Sequence, residues 1–263
     1  MIKAIFFDID GTLVSLKTKV YPASIPGVLE QLHKKGILLF VATGRSKFEI
    51  AQEHLLDGLA FDGYLTNNGQ DCYDADGNST YSKPLAPSEV AAVLQWAKAH
   101  HEPCWMVSGK ESRMSFTSPR TEKSFREIHT QYPEIGTLDH MVEDPVYKIV
   151  LFLDREEARE PLALAPNCRW TQWAEHGCDI ISADGGKVNA MRDIIAAYGI
   201  QPEEVMAFGD SHNDMQMLQA AGIGIAMDNA TEECKRIADY ITDDCDADGI
   251  AKALVHFGLI EHY

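Results

Sequence analysis

Residues Ile2 to Phe7 form an apolar run broken only by Lys3, and it stops at Asp8-Ile9-Asp10-Gly11-Thr12. Continuous rather than alternating hydrophobicity predicts a strand buried on both faces, as at the centre of a parallel sheet. The pattern recurs. Residues 37–42 are apolar and end in Thr43-Gly44-Arg45, and residues 205–208 are apolar and end in Gly209-Asp210. Between such runs lie stretches of helical spacing. Ile25, Val28, Leu29 and Leu32 share a face within about 24–35, with Gly36 as the stop, and a second helix is expected through roughly residue 56. Short buried strands alternating with helices restrict the chain to right-handed βαβ units in a doubly wound, Rossmann-like α/β sheet.

The rhythm changes after a third short strand at 63–68. Residues 71–83 predict a hairpin turning at Asp76-Gly77 or Gly77-Asn78. A helix over 87–101, strands at 104–107 and 113–117, and a polar helix near 119–131 follow. A strand at 146–153, a helix near 155–164 and strands at 169–173 and 178–183 complete this stretch. Runs of strands with two or three helices predict an α+β insert whose sheet is at least partly antiparallel. The βαβ rhythm then returns, with helices over 187–198, 214–221 and 232–238, strands at 224–227 and 240–242, and a closing helix from Gly249. The expected organisation is a discontinuous core, residues 1–82 and 184–263, with an inserted domain at 83–183.

Charge narrows the partners. With 23 Lys+Arg against 40 Asp+Glu the net charge is −17, which argues against a nucleic-acid binder. A small anionic ligand stays admissible, because a bound cation can reverse the field in one cleft. The first apolar run is far shorter than the ~20 residues of a membrane span, and no signal-peptide cleavage site follows it. The six cysteines (72, 104, 168, 178, 234, 245) contain no Cys-x-x-Cys pair. They are expected to be reduced thiols of a cytoplasmic protein.

Open α/β sheets bind ligands at the carboxyl ends of their strands. Four polar clusters fall at such ends or at a helix start: Asp8 to Thr12, Thr43 to Arg45, Lys187, and Gly209 to Asp214. Asp8 and Asp10 leave one face of an extended segment, and they repel unless a cation or a proton intervenes. The same residues could simply close a strand with an Asp-Gly turn. If the strand ending at Asp210 neighbours the first, Asp210 and Asp214 converge on Asp8. Carboxylates without a convergent His or Cys select Mg²⁺. Thr43 and the Gly44 amide would sit at a helix start, as an anion site or as an N-cap. Lys187 opens a helix, where a cation opposes the macrodipole; it serves an anion or stands solvated on the surface. Asn213 could bond a phosphate oxygen or cap the helix that follows. Arg45 could meet a substrate or an acidic neighbour.

Asp-Ile-Asp-Gly-Thr, Ala-Thr-Gly-Arg, a lysine before a helix and Gly-Asp-x-x-Asn-Asp together resemble the four motifs of the haloacid dehalogenase superfamily. Asn68-Gly69 and the roughly hundred-residue insert resemble its Cof-like, subclass IIB members, which carry a type II cap. The resemblance implies that Asp8 is a nucleophile and Asp10 a general acid/base, protonated only beside an anionic Asp8 and a phosphate. It implies Mg²⁺ held by the Asp8 carboxylate, the Asp10 backbone carbonyl and Asp210, with Asp214 binding directly or through water. Thr43, the Gly44 amide, Lys187 and Asn213 would grip the phosphoryl group. Ser211-His212 departs from many relatives without touching that metal set.

The expected activity is therefore Mg²⁺-dependent hydrolysis of small phosphorylated metabolites, sugar phosphates foremost, through an aspartyl-phosphate, by a monomer or weak dimer. A phosphotransferase or mutase would pass the same intermediate to a sugar hydroxyl, and a non-catalytic phosphate-binding regulator would merely retain it. A halide-releasing dehalogenase would need neither Asp10 nor Mg²⁺. In the insert, Arg113, His176 and Asp179 are expected to be exposed, as candidate readers of the leaving group or as solvated surface residues. Tryptophans 96, 105, 170 and 173 are expected to pack the insert's core.

Overall fold

Successive residues of the first strand, β1 (Ala4–Phe7), enter different apolar layers. Ala4 and Phe6 pack with Phe40, Leu65, Met191 and Ala207, whereas Ile5 and Phe7 pack with Leu39, Val41, Leu254 and Phe208. A strand with an apolar layer on each side has no face to give to polar residues, which is why its sequence does not alternate.

The computed structural model describes residues 1–128, 131–172 and 175–263. After β1 come α1 (Ile25–Lys34), β2 (Leu38–Ala42), α2 (Lys47–Gln52), β3 (Gly63–Thr66), β4 (Asp71–Asp74) and β5 (Ser79–Ser82). Next are α3 (Pro87–Ala99), β6 (Cys104–Ser108), β7 (Ser112–Met114), α4 (Pro119–Ile128), β8 (Glu134–Ile135), β9 (Val146–Leu151), α5 (Arg159–Ala163), β10 (Cys168–Gln172) and β11 (Cys178–Ser182). The chain closes with α6 (Lys187–Ala197), β12 (Val205–Gly209), α7 (Met215–Ala220), β13 (Ile223–Ala226), α8 (Glu232–Ile237), β14 (Tyr240–Ile241) and α9 (Gly249–His256). Two compact units result, one of Met1–Ser82 with Gly186–Tyr263 and one of Lys83–Gly185.

The first unit is a sheet in the order β14-β13-β12-β1-β2-β3-β4-β5. It is parallel from β14 to β3, and the β4–β5 hairpin extends it antiparallel. β1 lies between β12 and β2, with Phe7 level with Phe208 on one side and Val41 on the other. The residues that follow β1, β2 and β12 therefore emerge side by side at one sheet edge. This is a doubly wound α/β fold, with helices against both faces.

Local sequence sets the ends of the helices. Pro26 lies in the first turn of α1, and Gly36 (φ +72°) follows its last turn. α2 is shorter than the helix through residue 56 that apolar spacing predicts: His54 turns left-handed (φ +55°) and bonds back to Ala51, ending the helix.

The second unit is a sheet in the order β10-β11-β9-β6-β7-β8, antiparallel except for β7–β8. One face packs α3 and α5 over Cys104, Met106, Ile149 and Ile180, and the other packs Phe125 of α4 on Trp105, Val107 and Val150. Trp105 is buried, and Trp96 and Trp170 pack partly buried against the α3 side; Trp173 lies outside the described residues. The polar helix expected to reach 131 is described as far as Ile128. The paired Glu134 and Ile135 carry no pattern that would have announced a strand. All six cysteines are free thiols. Among the described residues no helix is long and apolar enough to cross a membrane.

Candidate active site

The chain turns sharply just after β1. The Gly11 amide donates to Val14, and Leu13 donates back to the Asp8 carbonyl. Gly11 takes φ +81°, and a Cβ there would lie 2.6 Å from Asp210 Oδ2. Glycine is required twice over, by conformation and by the approach of a carboxylate. Asp8 itself follows Phe7 directly, and its amide donates to Phe208, which ties it to β12.

Asp210 ends β12, and Asp214 folds back beneath it. Asp214 Oδ2 accepts the amides of Asp210 (3.1 Å) and Ser211 (3.0 Å). That fold needs Gly209, where a Cβ would stand 2.5 Å from the Asp214 side chain. Asp8, Asp210 and Asp214 each bring a carboxylate oxygen within 4.8 Å of the others, and all three residues are buried. Lys187, the first residue of α6, has a side chain with no exposed surface. Its Nζ donates to Asp8 Oδ1 at 2.7 Å and Asp214 Oδ1 at 2.6 Å. The alternative of a solvated surface lysine is excluded.

Three carboxylates against one ammonium leave two negative charges in excess. Burial, with Asp214 and Asp10 adding to it, pushes the Asp8 carboxyl up to about 7 against the pull of Lys187. Burial, Asp8 and Asp214 push Asp210 up to about 9. Lys187 shifts the other way: burial disfavours its charge, but Asp214 and Asp8 outweigh it and raise its pKa. Asp210 Oδ1 is buried with no hydrogen-bond partner. An orphaned carboxylate oxygen beside this excess of negative charge fits a divalent cation, and the carboxylates of the cluster offer hard oxygen ligands.

Asp10 behaves differently from Asp8, although only one residue separates them. Its carboxylate is not part of the acidic cluster. Arg45 takes it in a two-pronged grip, Nε to Oδ2 at 2.6 Å and Nη2 to Oδ1 at 2.8 Å. Glu53 holds Arg45 from behind at 3.0 Å, and Lys19 approaches Asp10 at 3.9 Å. Burial opposes ionisation of Asp10, but the bonds and charge of Arg45 outweigh it and keep the carboxyl below the usual range. The expected protonation of Asp10 is one for a site holding phosphate beside an anionic Asp8; in the chain itself the nearer, bidentate cation dominates. For Arg45, the acidic neighbour is the partner.

Thr43 and Gly44 are not at a helix start. Ser46 caps α2 through a reciprocal box with Glu49, so the helix begins at Lys47. The Thr43 hydroxyl instead accepts the Arg45 amide at 3.1 Å. Asn213 caps nothing either, since α7 begins after Asp214 without a side-chain cap. Its Nδ2 donates to Asn68 Oδ1 at 3.0 Å, and both carboxamides lie over Gly44. The sequence motifs assign neither Asn68 nor Glu53 to the site. For Asn68 the Asn-Asn-Gly run after β3 is the available signal; for Glu53 nothing local distinguishes it.

In the second unit, Arg113 is held by Glu111 (3.0 Å) and Glu134 (3.1 Å). His176 bonds Asp154 at 2.8 Å, and Asp179, expected at the surface, is instead buried on β11, whose residues 178–181 are drawn into the sheet's interior.

The chain as a whole is similar to known proteins. Residues 5–254 match the family model of the haloacid dehalogenase-like hydrolases, and the chain belongs to that family. YkrA of Bacillus subtilis (strain 168), whose name places it provisionally among the phosphatases, is 30% identical over 260 residues, 98% of this chain and 99% of YkrA. The structure of the phosphatase BT1666 from Bacteroides thetaiotaomicron superposes with a TM-score of 0.89 at 29% identity, covering 99% of this chain and 96% of that one. BT4131, described as a subclass IIB sugar phosphatase, superposes with a TM-score of 0.82 at 35% identity, covering 98% of this chain and 100% of its own. The protein is an enzyme, a phosphatase of the haloacid dehalogenase type.

Proposed function

We propose that this phosphatase hydrolyses small phosphate monoesters, sugar phosphates foremost, with Asp8 as nucleophile and Mg²⁺ as cofactor. The observation that carries the proposal is the buried cluster of Asp8, Asp210 and Asp214 around Lys187, with its orphaned Asp210 oxygen. The sugar-phosphate class leans on the likeness to BT4131. Asp8, Asp210 and Asp214, with the Asp10 backbone carbonyl, would hold the ion, and all-oxygen donors suit Mg²⁺. When bound, it supplies the positive charge that lets an anionic ester come near an anionic carboxylate.

The residues then divide the work. Lys187 holds the Asp8 carboxylate in place and adds its own charge toward the phosphoryl oxygens. Thr43, the Gly44 amide and Asn213 donate to those oxygens. Asp8 forms a bond to phosphorus while the ester P–O bond breaks, leaving an aspartyl-phosphate. The departing alkoxide takes a proton from Asp10, which must first loosen from Arg45 and acquire one. In the second half Asp10 removes a proton from water, whose oxygen attacks phosphorus and releases Asp8. The ionised Asp10 that Arg45 maintains is the form this second half uses. Such proton transfers typically contribute ~10²–10⁴-fold in rate.

The test is Asp8→Asn assayed on p-nitrophenyl phosphate with and without Mg²⁺, beside a panel of phosphorylated sugars. Turnover is expected to fall by about 10³-fold or more with an unchanged circular dichroism spectrum. Wild-type turnover in the variant would overturn the assignment of Asp8. Absence of sugar phosphates among the preferred substrates would overturn the substrate class.

A further inference from the structure

We propose that Asn68 is a positioning residue that fixes the Asn213 carboxamide so that one of its N–H groups is held ready for a phosphoryl oxygen. The proposal rests on the phosphate-binding role given to Asn213 above. Asn213 sits exposed on the turn before α7, where an unsupported carboxamide would rotate freely. Asn68 is 6% exposed, and its Oδ1 accepts one of the two Nδ2 hydrogens of Asn213 at 3.0 Å. Among the described residues the second hydrogen on that nitrogen meets no acceptor, and the nitrogen lies over Gly44. Asn68 thereby links the turns after β2, β3 and β12, since its own amide donates to the Thr43 carbonyl at 2.8 Å.

The backbone makes this use of a side chain conspicuous. Asn67 (φ +51°), Asn68 (φ +57°) and Gly69 (φ +79°) are three successive left-handed residues. Glycine meets such a conformation with the least strain, so a turn serving only to reverse the chain would be satisfied by glycine at 68. The side chain that stands there instead is one that tolerates the conformation and reaches Asn213. Fixing a donor in advance spares the bound state the ordering of a free rotor.

Asn68→Gly suits the left-handed backbone and removes the side chain with its carboxamide. Steady-state hydrolysis of p-nitrophenyl phosphate with Mg²⁺ and competitive inhibition by inorganic phosphate are measured for wild type, Asn68→Gly, Asn213→Ala and the double variant. Asn68→Gly is expected to raise KM and the phosphate inhibition constant about tenfold, with kcat within about threefold and Tm within about 2 °C. The double variant is expected to lose no more than about twofold beyond Asn213→Ala, because both changes remove one device.

Wild-type constants in Asn68→Gly beside an impaired Asn213→Ala overturn the inference and leave the phosphate-binding reading standing. Multiplying penalties overturn it too, since Asn68 would then act alone. Wild-type constants in Asn213→Ala defeat the role of Asn213, and this inference with it, without touching Asp8. A measurement independent of Asn68 variants is the side-chain ¹⁵N relaxation of Asn213 in the wild type, assigned by its loss in Asn213→Ala. An order parameter above about 0.7 is expected, and a lower value overturns the proposal.

Discussion

Both units are built on a sheet with apolar layers against its two faces, yet they differ in how densely they gather buried charge. In the first unit Asp8, Arg45, Lys187, Asp210 and Asp214 are all buried, crowded at the ends of β1, β2 and β12. In the second, Arg120–Glu157, Lys98–Asp139 and Lys110–Asp144 pair at the surface, and the buried charges Glu89, Lys148 and Asp179 are spread over α3, β9 and β11, with Glu89 accepting two hydrogen bonds from Asn167 and Lys148 lying over the Trp105 ring. Burying an ion costs several kcal/mol after relaxation, and mutual attraction offsets this only where every lone pair is met. The first unit leaves an Asp210 oxygen unmet. A fold shaped for stability alone would treat charge as the second unit does, so the concentration of incompletely satisfied ions marks where stability has been surrendered to chemistry.

The largest effect expected from this contrast follows Lys187→Met. Methionine fills the buried volume but removes the ammonium shared by Asp8 and Asp214. Breaking a buried pair by deleting one partner costs about 3–5 kcal/mol. Activity should fall by about 10³-fold, since the nucleophile loses its anchor and the phosphoryl group a cation. Urea titration and p-nitrophenyl phosphate turnover measure the two. A variant as stable as wild type would mean that the carboxylates are less desolvated than their burial implies, and the contrast between the units would lose its basis.

A smaller effect, with a definite sign, concerns pH. The Asp210 carboxyl rises from 3.8 to about 9 in the folded chain, and Asp8 from 3.8 to about 7. Between those limits the folded state keeps protons that the unfolded state has released, so stability falls as pH rises through the window. Asp10 has the opposite shift, and its contribution is lost only on acidification below the ordinary carboxylate range. It adds no slope at neutral pH. In EDTA, Tm should therefore decline from pH 6 to pH 9, and Mg²⁺ should raise Tm more at pH 9, where it displaces fewer protons. Differential scanning calorimetry at the two pH values checks this; a metal-free Tm that climbs over the interval would reverse the assignment of the excess charge.

How far the sequence announces this arrangement depends on how local the cause is. β1, β2 and β12 are legible because burial on both faces suppresses alternation within the strand itself. The polar residues that end those strands are legible for the same reason, since the break in the apolar run is local. The grip of Arg45 on Asp10 is not. It joins residues 35 apart and exists because β2 lies beside β1, a neighbourhood no apolar pattern specifies. The burial of Lys187 is likewise a tertiary outcome, as helix-terminus electrostatics describe a solvated lysine equally well. The early end of α2 turns on one left-handed histidine that helical spacing does not register. Local chemistry nominated the acidic cluster, and strand adjacency decided which of its members meet.

The smallest expected effect tests the other side of the contrast. Arg120 and Glu157 form a two-pronged pair at 2.6 and 3.0 Å, better geometry than most, but the side chains are 35% and 42% exposed. Water and salt screen them, and ordering two long side chains offsets much of the attraction. Arg120→Ala should cost about 1 kcal/mol or less, and the loss should shrink further in 1 M NaCl. Some of it will come from outside the ion pair, because Arg120 also donates a hydrogen bond to the Phe152 carbonyl at 3.4 Å. Urea titration at low and high salt separates the two contributions. A salt-independent loss of about 3 kcal/mol would show that a surface pair in the second unit behaves like the buried network of the first, and that burial is not what distinguishes them.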